Sequence, residues 1–391
     1  MRGTTGSGPV ALFLPTLVGG GAERVTVNLA RGLSEVGHDV DMVVASAEGV
    51  FVDRLPNGVR LVELGAHRTA ASLLPLARYL RRERPMALLS ALNHANVIAV
   101  LASRVARFRG AVWVAEHNDM LPLDSLTPSL RAFRALMGWA YGRATGIVAV
   151  SHGVRESLER TLGLPQECVR VIYNPVIVPE MLELALEIPD HPFVRERSGP
   201  LVVGVGRLTR QKNFAHLLRA VAAIDGTPQA RVLILGEGEE RETLTDLAVD
   251  LGLEERVALP GFVPNPYSYL AQADVFVLSS DWEGLPTVLI EALAIGTPVV
   301  ATNCPSGPLE ILDDGAHGEL VPIGDVNALA RAIERVLAAE RPSPDAAWLE
   351  QFTLAASVRR YAQVLGLSPQ ANAPRARQSR PASLADRDVP A

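Results

Sequence analysis

Lysine is nearly missing from this chain: of its 37 basic residues only Lys212 is a lysine, and the rest are arginine. Cysteine is almost as scarce, and the two present, Cys168 and Cys304, are too few for a disulfide framework or a zinc site. Both are expected to be reduced and structural. No stretch of eighteen apolar residues runs without polar interruption; the longest candidate, Met86 to Ala106, contains Asn93, His94, Asn96 and Arg104, which excludes a membrane span there. Aromatics make up 5% of the chain and the net charge is −6, so the aromatic and basic platform of a nucleic-acid binder is lacking.

What is there is the composition of a soluble globular enzyme, with 48% hydrophobic and 20% charged residues over 391 positions. That length holds two domains of ordinary size, each able to bury its own core. The apolar start, Val10 to Val18, is followed at once by Gly19, Gly20, Gly21 and an amphipathic helix. It reads as a first buried strand rather than a signal peptide, and the protein is expected to be cytoplasmic. Charge is uneven: residues 1–180 carry 19 Arg against 15 Asp plus Glu, and the remainder 18 basic against 28 acidic.

Short runs of Val, Ile and Leu recur between amphipathic segments: Val10 to Leu14, Val40 to Ala45, Ala87 to Leu89, Ala111 to Ala115, Ile147 to Val150 and Val169 to Tyr173. Unalternated runs of this length suit strands covered on both faces. Helices such as Ala22 to Leu33 and Leu73 to Arg84 alternate with them, which predicts βα units and a parallel sheet. After a proline-bearing stretch, Pro179 to Pro200, the pattern restarts with Leu201 to Gly204, Val232 to Leu235, Val257 to Leu259, Val275 to Leu278 and Pro298 to Ala301. The fold class is therefore α/β: two Rossmann-like, doubly wound parallel-sheet domains, over 1–190 and 198–345, with the site expected in the cleft between them. A closing helix is predicted over 348–367, and a Pro, Ala, Ser and Arg tail over 368–391 is expected to be disordered.

Three segments carry the chemistry. Gly19, Gly20 and Gly21 join a strand to a helix, where backbone can approach a ligand and free N–H groups can meet phosphate. Gly206-Arg207-Leu208-Thr209-Arg210-Gln211-Lys212-Asn213 puts Arg207 and Lys212 at the start of a helix, whose dipole disfavours cations unless an anion arrives between them. A diphosphate leaving group is such an anion. One surviving ammonium among guanidinium groups points to a site that a planar guanidinium would not fit. The third run, Ser279 to Pro298, sets Glu283 before a helix and Glu291 about a turn inside it, with Gly296 as the stop. The spacing suits recognition of ribose and sugar hydroxyls by carboxylates while the helix start faces phosphate.

Glu283 and Glu291 with seven residues between them, the run to Thr302, the Gly206 to Asn213 segment and the Gly19 to Val25 turn together resemble the retaining glycosyltransferases of family 4, which have the GT-B fold. The resemblance implies that Arg207 and Lys212 bind the donor diphosphate, Glu291 the ribose, and that Glu283 sits at the donor sugar. Backbone amides from Gly284 to Thr287, those of Gly284, Leu285 and Thr287 around Pro286, would hold phosphate and sugar hydroxyls, with Gly20 and Gly21 closing from the other domain. Gly236-Glu237-Gly238 and Gly261-Phe262-Val263 look like nucleotide-side loops. His117, after a buried strand, is similar in position to a histidine of many members and would contact donor sugar or acceptor; Asn93 and Asn96 are further acceptor-side candidates.

The same resemblance implies transfer of a hexose or N-acetylhexosamine from a nucleotide-sugar, UDP preferred, with retained configuration, to a glycan or lipid-linked acceptor. No cofactor and no metal is expected. Asp39-Val40-Asp41 has the form of a metal-binding triplet but precedes its strand, at the end away from the cleft. The basic and aromatic segments Leu76 to Arg84 and Leu130 to Arg143 raise peripheral contact with the inner membrane, against an ordinary core-packed helix with a solvated side. A catalytically inactive nucleotide-sugar or glycan-binding protein of the same fold is the alternative. A phosphorylase would need a lysine for pyridoxal phosphate, and Lys212 is already claimed.

Overall fold

The computed structural model describes residues 8–120, 127–196, 198–224, 230–341 and 345–367. Contacts divide it into two units: residues up to Pro175 together with the segment from Leu354, and Val176–Thr353. The division falls at Pro175, ahead of the boundary that the proline-bearing stretch suggested.

The first unit is built from β1 (Val10–Leu14), α1 (Gly21–Glu35), β2 (Val40–Val44), β3 (Val59–Glu63), α2 (Leu73–Glu83), β4 (Ala87–Ala91), α3 (Asn93–Ala106), β5 (Ala111–Glu116), α4 (Pro128–Tyr141), β6 (Gly146–Ala149), α5 (His152–Leu162) and β7 (Val169–Val171). Its seven strands are parallel and ordered β3-β2-β1-β4-β5-β6-β7. β1 is the apolar start of the sequence, buried at every position because neighbours and helices cover both its faces. Strand order reverses between β1 and β4, which opens a crevice at the carboxyl ends of these strands.

β3 escaped the reading by apolar runs because Arg60 and Glu63 interrupt it at the sheet edge. Arg60 is held there by Asp41 and Glu83, and Tyr79 donates a 2.6 Å hydrogen bond to Asp41. The Asp39-Val40-Asp41 triplet thus supplies a structural carboxylate at the start of β2.

The second unit contains α6 (Pro179–Leu184), α7 (Pro192–Arg195), β8 (Leu201–Val205), α8 (Phe214–Ala222), β9 (Arg231–Leu235), α9 (Arg241–Asp250), β10 (Val257–Gly261), α10 (Pro266–Gln272), β11 (Val275–Leu278), α11 (Thr287–Ile295), β12 (Val299–Thr302), α12 (Pro308–Ile311), β13 (Glu319–Val321), α13 (Val326–Ala338) and α14 (Ala346–Leu349). Its six parallel strands run β10-β9-β8-β11-β12-β13, with the reversal between β8 and β11. Val202, Ile234, Val277, Val300 and the apolar faces of α8 and α13 form one core.

The last described residues form two helices rather than the single one expected over 348–367. After α14 and a short turn at Glu350–Phe352, Thr353 is extended, and α15 (Leu354–Val364) begins. The carbonyl of Phe352 accepts the N–H groups of both Val176 and Ile177 at 3.1 Å, which takes it out of a helical ladder. α15 packs against α1 in the first unit. The tail expected to be disordered, 368–391, lies outside the described residues.

Candidate active site

In the second unit, the loop after β8 and the loop after β11 flank the crevice where strand order reverses. The first loop is anchored by Leu208, which is wholly buried and donates its N–H to the carbonyl of Glu237 at 2.8 Å. A side chain on Gly236 would put Cβ 1.9 Å from the carbonyl oxygen of Gly206, so the turns after β8 and β9 meet backbone to backbone. Lys212 ends a short turn, and Asn213, in the left-handed region at φ 44°, caps α8 by accepting the N–H of His216.

Four hydrogen bonds fasten this segment to the β11 loop. Ser279 donates to the carbonyl of Lys212 at 2.8 Å, and Asn213 donates to Asp281 at 2.8 Å. The side chain of Gln211 donates to the carbonyl of Trp282 at 2.9 Å, while the N–H of Asp281 returns a bond to the carbonyl of Gln211. The result brings the two predicted residues together: Nζ of Lys212 stands 2.6 Å from Oε1 of Glu283. Ser280 donates to the same oxygen at 2.7 Å. The side chains of Lys212 and Glu283 keep 17% and 8% of their surface, so the pair is sheltered without being sealed.

Cys304 lies beside this pair, buried. Its thiol is pushed up to about 12, first by burial and then by the charge of Glu283, so it is a protonated packing residue there.

Glu291 is the fifth residue of α11 and is buried, not set on a solvated face. Pro286 stands at the N-cap rather than in the first turn, and no side chain caps the helix. Of its leading N–H groups, that of Leu289 donates to the Pro286 carbonyl at 3.1 Å. Gly284, Leu285 and Pro286 are buried, Thr287 half-buried. Gly307 packs directly on this stretch, its missing Cβ 2.5 Å from Cδ of Pro286. Arg207 is exposed after β8; Gly261 closes β10 and Phe262 beyond it is exposed.

In the first unit, Gly20 is the N-cap of α1 and Gly19 is left-handed at φ +116°. The Glu23 carboxylate folds over this turn, its Oε2 2.3 Å from where a Cβ on Gly20 would be. The helix start therefore already faces one negative group of its own. Gly21 has open space on its side-chain position. His117 follows β5, half-buried, and desolvation pushes its imidazole down to about 4, so it is neutral at ordinary pH.

Asn96, expected on the acceptor side, turns into the core instead. It donates to the carbonyl of Ala115 and to Tyr141 at 2.9 Å, and to Glu116 at 3.1 Å. Asn93 begins α3 and is half-buried. Ser280, Asn213, Asp281 and Gln211 were not singled out as individual site residues, although the motifs named here contain them.

Among the described residues no three of His, Cys, Asp and Glu are grouped so as to hold a metal ion. Among them, too, no helix is long and apolar enough to cross a membrane.

Comparison with known proteins gives the same outline. Residues 19–178 match the model of Glycosyltransferase Family 4, and residues 190–350 that of Glycosyl transferases group 1. The lipopolysaccharide core biosynthesis glycosyltransferase LpsE of Rhizobium meliloti is 32% identical over 323 residues, 82% of this chain and 86% of that protein. A Campylobacter jejuni 4-alpha-N-acetylgalactosaminyltransferase, named for an N-acetylgalactosamine-N,N'-diacetylbacillosaminyl-diphospho-undecaprenol substrate, is 33% identical over 202 residues, 52% of this chain and 53% of that protein. In fold, the chain is similar to Anabaena Alr3699/HepE, solved in complex with UDP, with a TM-score of 0.73 at 21% identity over 91% of this chain and 99% of that one. With two doubly wound sheets, both family models matched and a relative aligned over most of its length, the chain belongs to the family 4 glycosyltransferases and has their GT-B fold.

Proposed function

We propose that the enzyme transfers a hexose or N-acetylhexosamine from a UDP-sugar, with retained anomeric configuration, to a lipid-linked or cell-surface glycan. The observation that carries the donor assignment is the Lys212–Glu283 pair, held by Ser280 at the strand-order reversal of the second sheet. Lys212 and Arg207 stabilise the diphosphate as its charge develops, joined by the backbone N–H groups of Gly284, Leu285 and Thr287 around Pro286 at the start of α11. Glu291 binds ribose hydroxyls, and Glu283 faces the donor sugar. Gly261 and Phe262 border the nucleotide, and Gly19, Gly20 and Gly21 meet phosphate or sugar.

In the transfer, the bond between the anomeric carbon and the diphosphate oxygen breaks. The acceptor oxygen attacks the oxocarbenium-like carbon on the same face, and its proton passes to the departing diphosphate. The positive field comes from the chain itself, so no metal is needed. His117, neutral, accepts a hydrogen bond from a sugar or acceptor hydroxyl. The UDP complex of HepE and the named functions of LpsE and the Campylobacter enzyme support the choice of donor and acceptor class.

The test is donor turnover across UDP-, GDP- and ADP-linked hexoses and N-acetylhexosamines in the presence of EDTA, with NMR of the transferred anomeric proton. Turnover of a UDP-sugar with an α product supports the reading; a β product or loss of all activity in EDTA counts against it.

Contact with the cytoplasmic face of the membrane is a second part of the proposal. On α4, Leu130, Leu136 and Trp139 are exposed beside Arg131, and Arg143 lies 4.4 Å over the Trp139 ring. A basic and aromatic face of this kind suits an anionic surface. Co-sedimentation with phosphatidylglycerol vesicles that Trp139→Ala weakens is expected; equal sedimentation of both proteins overturns it.

A further inference from the structure

The end of β5 buries an acid that the proposed chemistry leaves unused. Glu116 is fully buried and immediately precedes His117. Its Oε1 accepts hydrogen bonds from the hydroxyl of Tyr141 on α4 and from the amide of Asn96 on α3, and the same amide reaches Tyr141 and the Ala115 carbonyl. Two helices and a strand are thereby tied together one residue before His117.

The hydrogen-bond count at this cluster does not close for an ionised carboxylate. Oε2 of Glu116 and Oδ1 of Asn96 are both buried and both without a partner. As buried acceptors facing no donor, both are costly where they stand. A proton on the carboxyl removes the buried charge.

Among the described residues no cation pairs with this carboxyl, the buried Arg134 of α4 included. α3 contributes the Asn96 amide and α4 the Tyr141 phenol, while the flanking strands β4 and β6 bring only Ala, Leu, Ser, Gly, Ile and Val. The next residue along, His117, is itself neutral.

We propose that Glu116 is a positioning residue for His117: as a neutral acid it clamps the end of β5 between α3 and α4 and so fixes the direction in which the histidine leaves the strand. Burial pushes this carboxyl up to about 7, against the hydrogen bonds of Tyr141 and Asn96. Ionisation then places an uncompensated charge in the clamp, and the clamp loosens as pH rises through that value. The activity arm of the test rests on the role proposed above for His117.

Wild type, Glu116→Gln and Glu116→Ala are compared by kcat and KM for UDP-sugar turnover from pH 5.5 to 9, by UDP affinity, and by melting temperature across the same range. Gln keeps the shape of the neutral acid and is uncharged at every pH. Wild-type kcat is expected to fall above about pH 7, approaching tenfold per pH unit as for any single ionisation. Glu116→Gln should hold its kcat within about twofold over the range, and its melting temperature should climb relative to that of wild type as pH rises from 5.5 to 7. Glu116→Ala should lose kcat at every pH with UDP affinity kept. An alkaline limb that persists in Glu116→Gln, or a wild type with none, overturns the proposal, as does full kcat in Glu116→Ala. Failure of the wild type to bind UDP would instead sink the donor reading, and the melting comparison would still test Glu116.

Discussion

The ammonium of Lys212 and the carboxylate of Glu283, 71 positions apart in sequence, are joined at 2.6 Å, and the hydroxyl of Ser280 completes the grip on the same carboxylate oxygen. In the proposed function this pair is where the diphosphate and the sugar meet the second unit. Removing the ammonium leaves a mostly buried carboxylate with one donor. Lys212→Ala is therefore expected to cost on the order of 3 kcal/mol in stability, seen in urea unfolding. Lys212→Arg should not restore UDP-sugar turnover, because a planar fork cannot take the place of a compact ammonium there.

The loops after β8 and β9 leave no room for a methyl group at one point. Gly236→Ala puts Cβ against the Gly206 carbonyl and demands a φ of +150° from alanine. A loss of about 2 kcal/mol or more in urea unfolding is expected, with weaker UDP binding as the Arg207–Lys212 segment shifts. Gly21→Ala is the control, since nothing stands within 4 Å of its Cβ position; its unfolding midpoint should match wild type.

His117 and Glu116 pull stability in opposite directions with pH. The imidazole, with its pKa lowered to about 4 from 6.5, favours the neutral form in the folded state. Its contribution is whole above pH 6.5 and is lost as pH falls toward 4. The Glu116 carboxyl, raised to about 7 from 4.5, binds its proton more tightly when folded. Its contribution is whole below pH 4.5 and is lost as pH rises to 7. His117→Gln removes only the first contribution, so its melting temperature should fall more steeply than that of wild type as pH rises from 4.5 to 6.5, where the two groups otherwise offset each other.

The two thiols should differ in reactivity. Cys304 is buried, with its thiol pushed up to about 12, whereas Cys168 is partly open to solvent. At pH 8 a thiol reagent is expected to label one cysteine per native chain, Cys168, and the second only on unfolding. Labelling of Cys304 at the same rate in the native protein would contradict the packing around Lys212 and Glu283.

Most of the sheet was legible in the sequence because fully covered parallel strands are continuous runs of Val, Ile and Leu, as in Val10–Leu14 and Val275–Leu278. β3 was missed because Arg60 and Glu63 break the run at a sheet edge, and β13 because it has only three residues, the first Glu319. Thr353 breaks the last helix for a tertiary reason, the bonds of the Phe352 carbonyl to Val176 and Ile177, and no local signal marks it. At the site, residue type and spacing picked out Lys212 and Glu283. Their joining through Ser280 and the Asn213–Asp281 bond spans dozens of positions and follows only from strand order. Asn96 shows the opposite error: an amide near a helix start looked available for a ligand, but it satisfies the Ala115 carbonyl and Glu116 inside the core.

Calorimetric titration of UDP into wild type, Lys212→Ala and Glu291→Ala, with EDTA present, tests the donor site most directly. The account predicts binding by wild type, a loss of about tenfold or more in affinity for each variant, and no change on adding magnesium. Equal affinity in all three proteins, or binding by wild type only when a divalent cation is supplied, would contradict it.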